Sequence, residues 1–261
     1  MPGYRIEYSK TGRARWLSHL ELIRTFIRAL RRSGLPLVFS QGFNPHPRLS
    51  YCPSLGVGVA GLREYLDADL AAATLLPEGM ASLGRQLPPG LEIGCLMELP
   101  PAAPGIGKAV NCAWYRLALP PEQTADAWQQ AIDCLVGGSD PLYYKRPKDG
   151  KLFDVRSALS ACRLTEVGGK RSEAGTVECG ASPGAWRERT PALKEGEGLG
   201  LDLLVDFGDA AAPLRGIVET LLPLTEAAGC YEPARVTRMA LLRHNGGLIN
   251  PLGERKQLWE A

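Results

Sequence analysis

Residues 40–51, SQGFNPHPRLSY, hold the densest group of chemically useful side chains in this 261-residue chain. Its polar side chains include Gln41, Asn44, His46 and Arg48. Gly42 gives the backbone freedom and two prolines stiffen it, which predicts a rigid, donor-rich loop. Such a loop suits recognition of a base, a phosphate or a peptide, with Phe43 and Tyr51 available for stacking. The alternative is an ordinary turn begun by the Asn-Pro pair, with Phe43 in the core.

Arginines that precede the loop form a second group of candidates. They are Arg13, Arg15, Arg24, Arg28 and Arg31. Residues 1–50 contain nine Lys or Arg and two acids, a net charge of +7, and the rest of the chain carries −5 because the total is +2. The helical arginines lack acids at i±4, where a merely soluble helix usually alternates its charges. We therefore expect these arginines, with Gln41, Asn44, His46 and Arg48, to bind a polyanion such as RNA. A solvated arginine-rich helix face is the competing interpretation.

Two histidines are candidates for acid–base catalysis. His46 lies in the polar loop near Arg48, whereas His19 projects towards the apolar side of a predicted helix and is expected to be structural. Together they could cleave RNA without a metal, one histidine taking the 2′-hydroxyl proton and the other protonating the leaving oxygen. His46, perhaps with His19, is thus the best guess for a catalytic residue.

A basic cluster in the second half offers further candidates. Its members are Lys145, Arg146, Lys148, Lys151 and Arg156. The cluster either extends the basic surface of the first half or forms an ordinary exposed hairpin.

Several classes of protein lack support in the sequence. Seven cysteines occur without a CxxC pair, and neither a Walker A loop nor an HExxH motif is present. We therefore expect no metal and no cofactor. No apolar run approaches the roughly 18 residues of a membrane span, and the N-terminal residues lack a signal-peptide core. These features predict a cytoplasmic protein without membrane contact.

The first hundred residues predict one βαββαβ unit. Ser18 followed by Glu21 fits a capping box, so a helix should begin here and run to Arg32 or Ser33, where Gly34 stops it. Its apolar side is formed by Leu20, Leu22, Ile23, Phe26, Ile27 and Leu30, and its opposite side by Arg24, Arg28 and Arg31. Predicted strands lie at 4–8, 35–39, within 49–59, at 64–70 and at 91–99, with a second helix at 72–87.

The same order of elements recurs after a Pro- and Gly-rich linker at 100–108. Predicted strands lie at 111–119, 142–145, 176–181, 199–207 and 234–242, with helices from Pro121, at 213–224 and, as an insertion, at 154–164. We predict an α+β fold of two tandem ferredoxin-like (βαββαβ) domains, antiparallel sheets with helices on one face. The domains would be 1–104, which is basic, and 109–243, which has insertions, followed by a polar tail at 244–261.

Residues 4–70 resemble the N-terminal signature of a bacterial family of radical SAM-linked proteins. The matching segments are YRIEYSKTGRARWLSHLELIRTFIRALRRSGLPLVFSQGFNPHPRLSY and EYLD, with KDGKLFDVRSAL and RVTRMALL similar to two later blocks of the family. Ser157 stands where that family pattern leads us to expect proline.

The resemblance implies a cobalamin-binding radical SAM protein as partner, encoded beside this chain or fused to it. Genes of that family often neighbour those for an E/G-type ribonuclease and ribosomal proteins, which implies an RNA or ribosome-related substrate. This chain has no CxxxCxxC and cannot hold the radical SAM cluster itself. We therefore expect an accessory, RNA-binding or substrate-presenting subunit without radical chemistry of its own. The alternatives are a metal-independent endoribonuclease and a protein-only scaffold for the partner.

Overall fold

The computed structural model describes most of the chain in separate stretches. They are residues 3–72, 76–119, 124–138, 140–167, 198–207, 213–225, 232, 235–244, 248–249, 251 and 255–256. The predicted strand at 176–181 lies outside these residues. Within the described stretches, no helix combines the length and apolar character that a membrane crossing requires.

The first half follows the predicted order of strands and helices. Its elements are β1 (Gly3–Lys10), a 3-10 helix (Gly12–Trp16), α1 (His19–Arg32), β2 (Leu49–Tyr51), β3 (Ala60–Asp69), α2 (Leu76–Gly84) and β4 (Leu91–Leu99). The strand predicted at 35–39 is absent, since this segment makes only the isolated bridges Leu37–Leu70 and Phe39–Pro47.

The second half differs from the prediction in several short elements and in one inserted segment. Its elements are α3 (Ile106–Ala109), β5 (Cys112–Ala118), α4 (Ala125–Gly137), β6 (Tyr143–Lys145), β7 (Leu152–Asp154), β8 (Leu159–Val167), β9 (Gly198–Asp206), α5 (Leu214–Leu221), a 3-10 helix (Leu222–Thr225), β10 (Val236–His244), β11 (Leu248–Ile249) and β12 (Arg255–Lys256). The prediction of a helix at 154–164 was wrong, because this stretch contains the end of β7, a turn and most of β8. The Asp154 carboxylate instead accepts from the amide of Arg156 in a turn that leads into β8.

Ten strands of the described residues form one mixed sheet, and all but one of its pairings are antiparallel. The order is β4-β1-β3-β10-β5-β9-β8, β2 pairs with part of β3, and β11 and β12 extend from β10. The exception is the parallel pairing of β3 with β10, in which Ala60 faces Thr237. The protein is thus an α+β protein with a mostly antiparallel sheet.

Each half places its strands in the same arrangement. In the first half, β1 lies between β4 and β3, and β2 pairs with the far edge of β3. In the second half, β5 lies between β10 and β9, and β8 pairs with the far edge of β9. The two halves meet where β3 pairs with β10. The proposed domain boundaries remain a prediction.

The helix α1 forms as the sequence predicts. The Ser18 hydroxyl accepts from the Glu21 amide, and the Glu21 carboxylate accepts from the Ser18 amide at 2.8 Å, which completes the capping box. Gly34 follows the helix with a φ of +75°, a left-handed conformation that glycine adopts without strain. The buried face comprises Leu22, Phe26, Ala29 and Leu30, whereas Leu20, predicted to be apolar-facing, is exposed.

Two apolar cores hold the helices on the sheet. In the first half, α1 packs on alternate residues of β1, and the rings of Tyr8 and Phe26 meet edge to face at 4.7 Å. In the second half, Trp128 of α4 and Ile217 of α5 pack with Leu203 of β9. The helix α4 begins at Ala125, with the Thr124 hydroxyl accepting from the Ala127 amide. Pro121, predicted to open this helix, lies outside the described residues.

The linker and the C-terminal segment both contact the first half. The side chain of Arg5 donates to the carbonyls of Pro104 and Pro251 and pairs with Asp67 at 2.8 Å. The stretch 244–261, expected to be loop and tail, contains β11 and β12. Single-sequence reasoning missed these strands because each spans only two residues, too few for a periodic pattern.

Candidate anion-binding surface

The outer side of α1 carries the predicted stripe of arginines. Arg24, Arg28 and Arg31 are exposed and follow one another at i, i+4 and i+7, so they share one side of the helix. In the described part of the chain, none of the three forms an ion pair. The stripe is therefore open to solvent, and the Glu21 carboxylate interacts electrostatically with Arg24 at its first position.

The segment between Phe39 and Pro47 forms a closed loop that projects from the sheet. The Ser40 amide donates to the carbonyl of His46 at 2.8 Å, and the His46 amide donates to the Ser40 hydroxyl at 3.0 Å. These bonds close the base of the loop, so its tip is presented on a fixed stem. Gln41 and Asn44 are exposed near that tip, and His46 is exposed at the base of the loop.

Phe43 stands at the tip of this loop. Its side chain is fully exposed, so it does not fill the core as the alternative interpretation required. Gly42 beside it has a φ of +132°, which only glycine adopts without strain. The loop thus presents an aromatic ring that makes no packing contribution to the core.

The stripe and the loop touch at one point. The guanidinium carbon of Arg31 lies 5.7 Å from the ring centre of Phe39, a cation–π distance. Phe39 is the first residue of the loop stem. The structure therefore brings the C-terminal end of the arginine stripe against the base of the loop, in one continuous surface.

Three other predicted arginines have different surroundings. Arg13 is exposed on the 3-10 helix that precedes α1. Arg15 donates to the carbonyls of Gly58 and Val236, and burial lowers the pKa of its guanidinium. Arg48 pairs with Asp69 at 3.1 Å. Arg15 thus joins the two halves, and Arg48 is partly neutralised, so both have fewer free donors for a phosphate than Arg13 has.

The two histidines have different surroundings. His19 is half-buried, with its ring edge-on to Tyr51 at 5.9 Å, which fits the predicted structural role. His46 is exposed in the loop. Among the described residues, no hydrogen bond or ring contact joins them. Paired acid–base catalysis remains a hypothesis.

The basic residues of the second half lie on or near the hairpin β6–β7. Arg146 pairs with Asp149 at 2.8 Å, and Arg146 and Lys151 lie over the ring of Phe153 at 5.1 and 4.9 Å. Lys145 and Lys148 are exposed. The hairpin therefore retains exposed positive charge, although one of its arginines is neutralised.

Arg156 acts elsewhere. Its guanidinium donates to the carbonyls of Leu135 and Cys134 at 2.8 and 2.9 Å. These carbonyls belong to the last turn of α4, where a basic side chain satisfies free acceptors and the helix dipole. Arg156 thus has a structural role as a cap of α4.

A buried polar cluster escaped the sequence analysis. Lys10, Glu64 and Arg238 are each at least 98% buried. The Lys10 ammonium donates to the carbonyl of Leu17 at 2.7 Å, and burial lowers its pKa. Beside the cluster, Cys52 and Tyr8 line a cavity of about 10 Å³, close to the volume that one water needs. Charged residues in strands usually face solvent, so no single-sequence signal marked these as buried.

A wider groove lies beside the arginine stripe. It has a volume of about 300 Å³ and is lined by Thr25, Arg28, Arg32, Gln86, Leu87 and Pro88. Of these, only Arg28 was predicted as a site residue, and half of the lining comes from the chain after α2. Across the described stretches, no three His, Cys, Asp or Glu side chains are grouped as a metal site would require.

These features define an α+β protein with an open cationic surface on its first helix. Its sequence matches, over residues 3–184, the family described as "Uncharacterized protein conserved in bacteria (DUF2344)". The match covers more than half of the chain, and the protein belongs to this family. A comparison with curated proteins gave no match.

Proposed function

We propose that the protein binds single-stranded RNA, or an RNA-bearing substrate, through α1 and the loop 39–47. The observation that carries the proposal is the stripe of Arg24, Arg28 and Arg31, which is exposed and forms no ion pair in the described structure. Clustered guanidiniums bind phosphates and release condensed counterions, which gives a favourable, salt-dependent free energy of association.

The loop would supply a second kind of contact. Base–aromatic stacking suits a ring that is exposed on a rigid stem, and Phe43 is such a ring. Gln41, Asn44 and His46 around it carry donors and acceptors that match base edges. The contact between Arg31 and Phe39 supports a single binding surface, with phosphates along the helix and a base at the tip of the loop.

We place this activity in an accessory subunit. The resemblance to radical SAM-linked proteins supports a cobalamin-binding radical SAM protein as partner, to which this chain would present its RNA-bearing substrate. This chain has no CxxxCxxC motif, so in this proposal the cluster and the radical chemistry would belong to the partner.

The proposed architecture is a tandem of two ferredoxin-like units. The strand orders β4-β1-β3-β2 and β10-β5-β9-β8 support it, because each corresponds to βαββαβ connectivity within an antiparallel sheet. In this arrangement the two units share one sheet through β3 and β10. The RNA-binding surface would belong to the first unit alone.

A salt titration of binding tests the RNA proposal. Fluorescence anisotropy would follow a labelled single-stranded oligonucleotide with the wild type and with Arg24→Ala/Arg28→Ala. Each lost phosphate contact lowers the slope of log K against log salt by about 0.7, so the double variant should lose about 1.4. Its affinity near 0.1 M salt should fall about tenfold or more.

The control variant removes the same charge elsewhere. Arg215 and Arg235 are surface arginines of the second half that pair with Glu219 and Glu232. Arg215→Ala/Arg235→Ala should leave the slope within experimental error of the wild type. Equal slopes for all three proteins would remove the α1 stripe as the binding surface.

A protein-only scaffold is the second candidate, and the exposed ring of Phe43 favours it too. Exposed aromatic residues are common anchors in protein interfaces. Co-purification of the radical SAM partner that survives nuclease treatment and high salt would support the scaffold over RNA binding. In the same preparations, RNA cleavage in EDTA that is lost in His46→Ala would instead support the endoribonuclease.

A further inference from the structure

The groove between α1 and the segment after α2 is a separate feature beside the arginine stripe. Two arginines enter it from successive turns of α1, Arg28 and Arg32. Thr25, Gln86, Leu87 and Pro88 complete the lining, which contains no acidic residue. Its volume of about 300 Å³ reaches the lower end of the range for small-molecule sites.

One of the two guanidiniums is held in place. Arg32 donates through Nε to the side-chain oxygen of Gln86 at 3.1 Å and through a terminal nitrogen to the Gln86 carbonyl at 2.8 Å. The other terminal nitrogen has no recorded acceptor in the described structure. Because these bonds fix the plane of the group, little conformational entropy would be lost when an anion binds.

The second guanidinium raises the charge of the same groove. Arg28 lies four residues before Arg32, and like charges at i and i+4 destabilise a helix. Within the described residues no carboxylate pairs with Arg28. Two adjacent positive charges without a counter-charge should bind a ligand with two negative charges more tightly than a ligand with one.

We propose that this groove binds a terminal phosphomonoester of a nucleotide, an inference that rests on the proposed binding of RNA. A phosphomonoester carries a charge between −1.5 and −2 at pH 7, whereas an internal phosphodiester carries only one negative charge. Arg28 and Arg32 would bind the phosphate, and Leu87 and Pro88 would offer an apolar surface to the sugar or base. The groove thus recognises an RNA end.

Mononucleotide binding tests the groove without RNA. Calorimetry would compare adenosine monophosphate, adenosine and inorganic phosphate as ligands of the full chain. We expect the monophosphate to bind about tenfold or more tightly than adenosine, since charge-assisted bonds to phosphate are the stronger ones. Equal affinities for adenosine monophosphate and adenosine would overturn the proposal.

Matched variants locate the site. Arg32→Ala should weaken binding of the monophosphate about tenfold, and Arg32→Lys should restore only part of it because lysine lacks the planar fork. Arg85→Ala is the control, since Arg85 is exposed beside Gln86 but does not line the groove. An equal loss in Arg85→Ala and Arg32→Ala would show nonspecific attraction and would refute the site. Thermal unfolding of each variant checks that the fold is intact.

Oligonucleotides with different ends separate this inference from the RNA proposal. One sequence would be prepared with a 5′-phosphate, with a 3′-phosphate and with neither, and the end that raises affinity in an Arg32-dependent way is the end bound. If all three forms bind equally and depend on the α1 stripe, RNA binding stands and the groove inference fails. If the monophosphate binds as expected but no oligonucleotide does, the groove stands and the RNA proposal fails.

Discussion

Arg238 of β10 and Glu64 of β3 form a bidentate ion pair that is shielded from solvent. Arg238 Nε donates to Glu64 Oε1 at 2.7 Å, a terminal nitrogen donates to Oε2, and the two side chains are 1% and 2% exposed. Arg238 also donates to the carbonyl of Pro53. The pair lies where β3 and β10 run parallel, so it connects the two halves of the sheet.

The first prediction concerns this pair. Glu64→Gln removes the charge that compensates Arg238, and the free energy of unfolding should fall by about 3 to 5 kcal/mol, as for other buried charges left unpaired. Urea unfolding followed by circular dichroism measures the change. Replacing both partners by apolar residues, Glu64→Leu/Arg238→Met, should recover much of the loss because neither partner is then left buried without its counter-charge.

An exposed pair gives the control for that prediction. Arg215 and Glu219 are four residues apart on α5, and Arg215 is largely exposed. Arg215→Ala should change the free energy of unfolding by about 1 kcal/mol or less, as is typical of surface pairs. If Glu64→Gln changed the free energy of unfolding as little as this control does, water would have to reach the ion pair. The pair would then not be a buried connection between the two halves.

The second prediction is a dependence of stability on alkaline pH. Burial raises the pKa of the Cys52 thiol from 9.0 to about 12, and the neighbouring Glu64 carboxylate acts in the same direction. Below pH 9 the thiol is protonated in both the folded and the unfolded chain. Between 9 and 12 only the unfolded chain loses this proton, so Cys52 lowers stability by about 1.4 kcal/mol per pH unit as the pH rises.

Variants isolate the contribution of Cys52. Free energies of unfolding would be measured from about pH 8 to about pH 10.5 for the wild type, Cys52→Ala and Cys134→Ala. Cys52→Ala should show a shallower decline with pH, whereas Cys134, which is exposed, should have no such effect. Parallel curves for all three proteins would contradict the raised pKa.

The sequence predicts the elements whose signals are local. The capping box at Ser18 and Glu21 needs only residues three apart, and α1 begins where it indicates. The strand β4 likewise follows from the predicted strand at 91–99. The segment 154–164 was misassigned because Asp154 caps a turn as readily as a helix, and only pairing with β9 decides in favour of strand.

The candidate site likewise contains features with a local sequence signal and features that depend on distant contacts. The stripe on α1 is a periodic feature of one helix, so its exposure could be predicted from the sequence. The groove could not, because Gln86 joins Arg32 across a separation of 54 residues. Glu64 was assigned to an alternating strand, yet it pairs with Arg238 from the distant end of the chain. Contacts of this kind depend on tertiary structure and leave no periodic signal.

The third prediction concerns the start of α1. Ser18→Ala removes the hydroxyl that accepts from the Glu21 amide and leaves a helix donor without its partner. The free energy of unfolding should fall by about 1 kcal/mol. Ser18→Thr keeps the hydroxyl at this position and should stay near the wild type. If Ser18→Thr lost as much stability as Ser18→Ala, capping would not be the cause.

The same cap predicts a change with acid pH. Hydrogen bonds from Ser18 lower the pKa of the Glu21 carboxyl, so its contribution is present above the pKa of the unfolded chain and is lost as the pH falls through the lower folded value. Unfolding measured from about pH 6 to about pH 3 should therefore show a smaller difference between wild type and Ser18→Ala at the acid end. If the difference in free energy of unfolding between the two proteins stayed constant with pH, the Glu21 carboxylate would not contribute to the cap.

The last prediction tests the role of the loop tip. Because Phe43 is fully exposed, Phe43→Ala should leave the free energy of unfolding within about 0.5 kcal/mol of the wild type. If its ring stacks on a base, the variant should bind single-stranded RNA about tenfold more weakly, and Phe43→Trp should bind at least as well as the wild type. Val136→Ala removes an exposed apolar side chain from α4 and is the control. RNA affinity that is unchanged in Phe43→Ala, together with lost co-purification of a protein partner, would assign the ring to a protein interface.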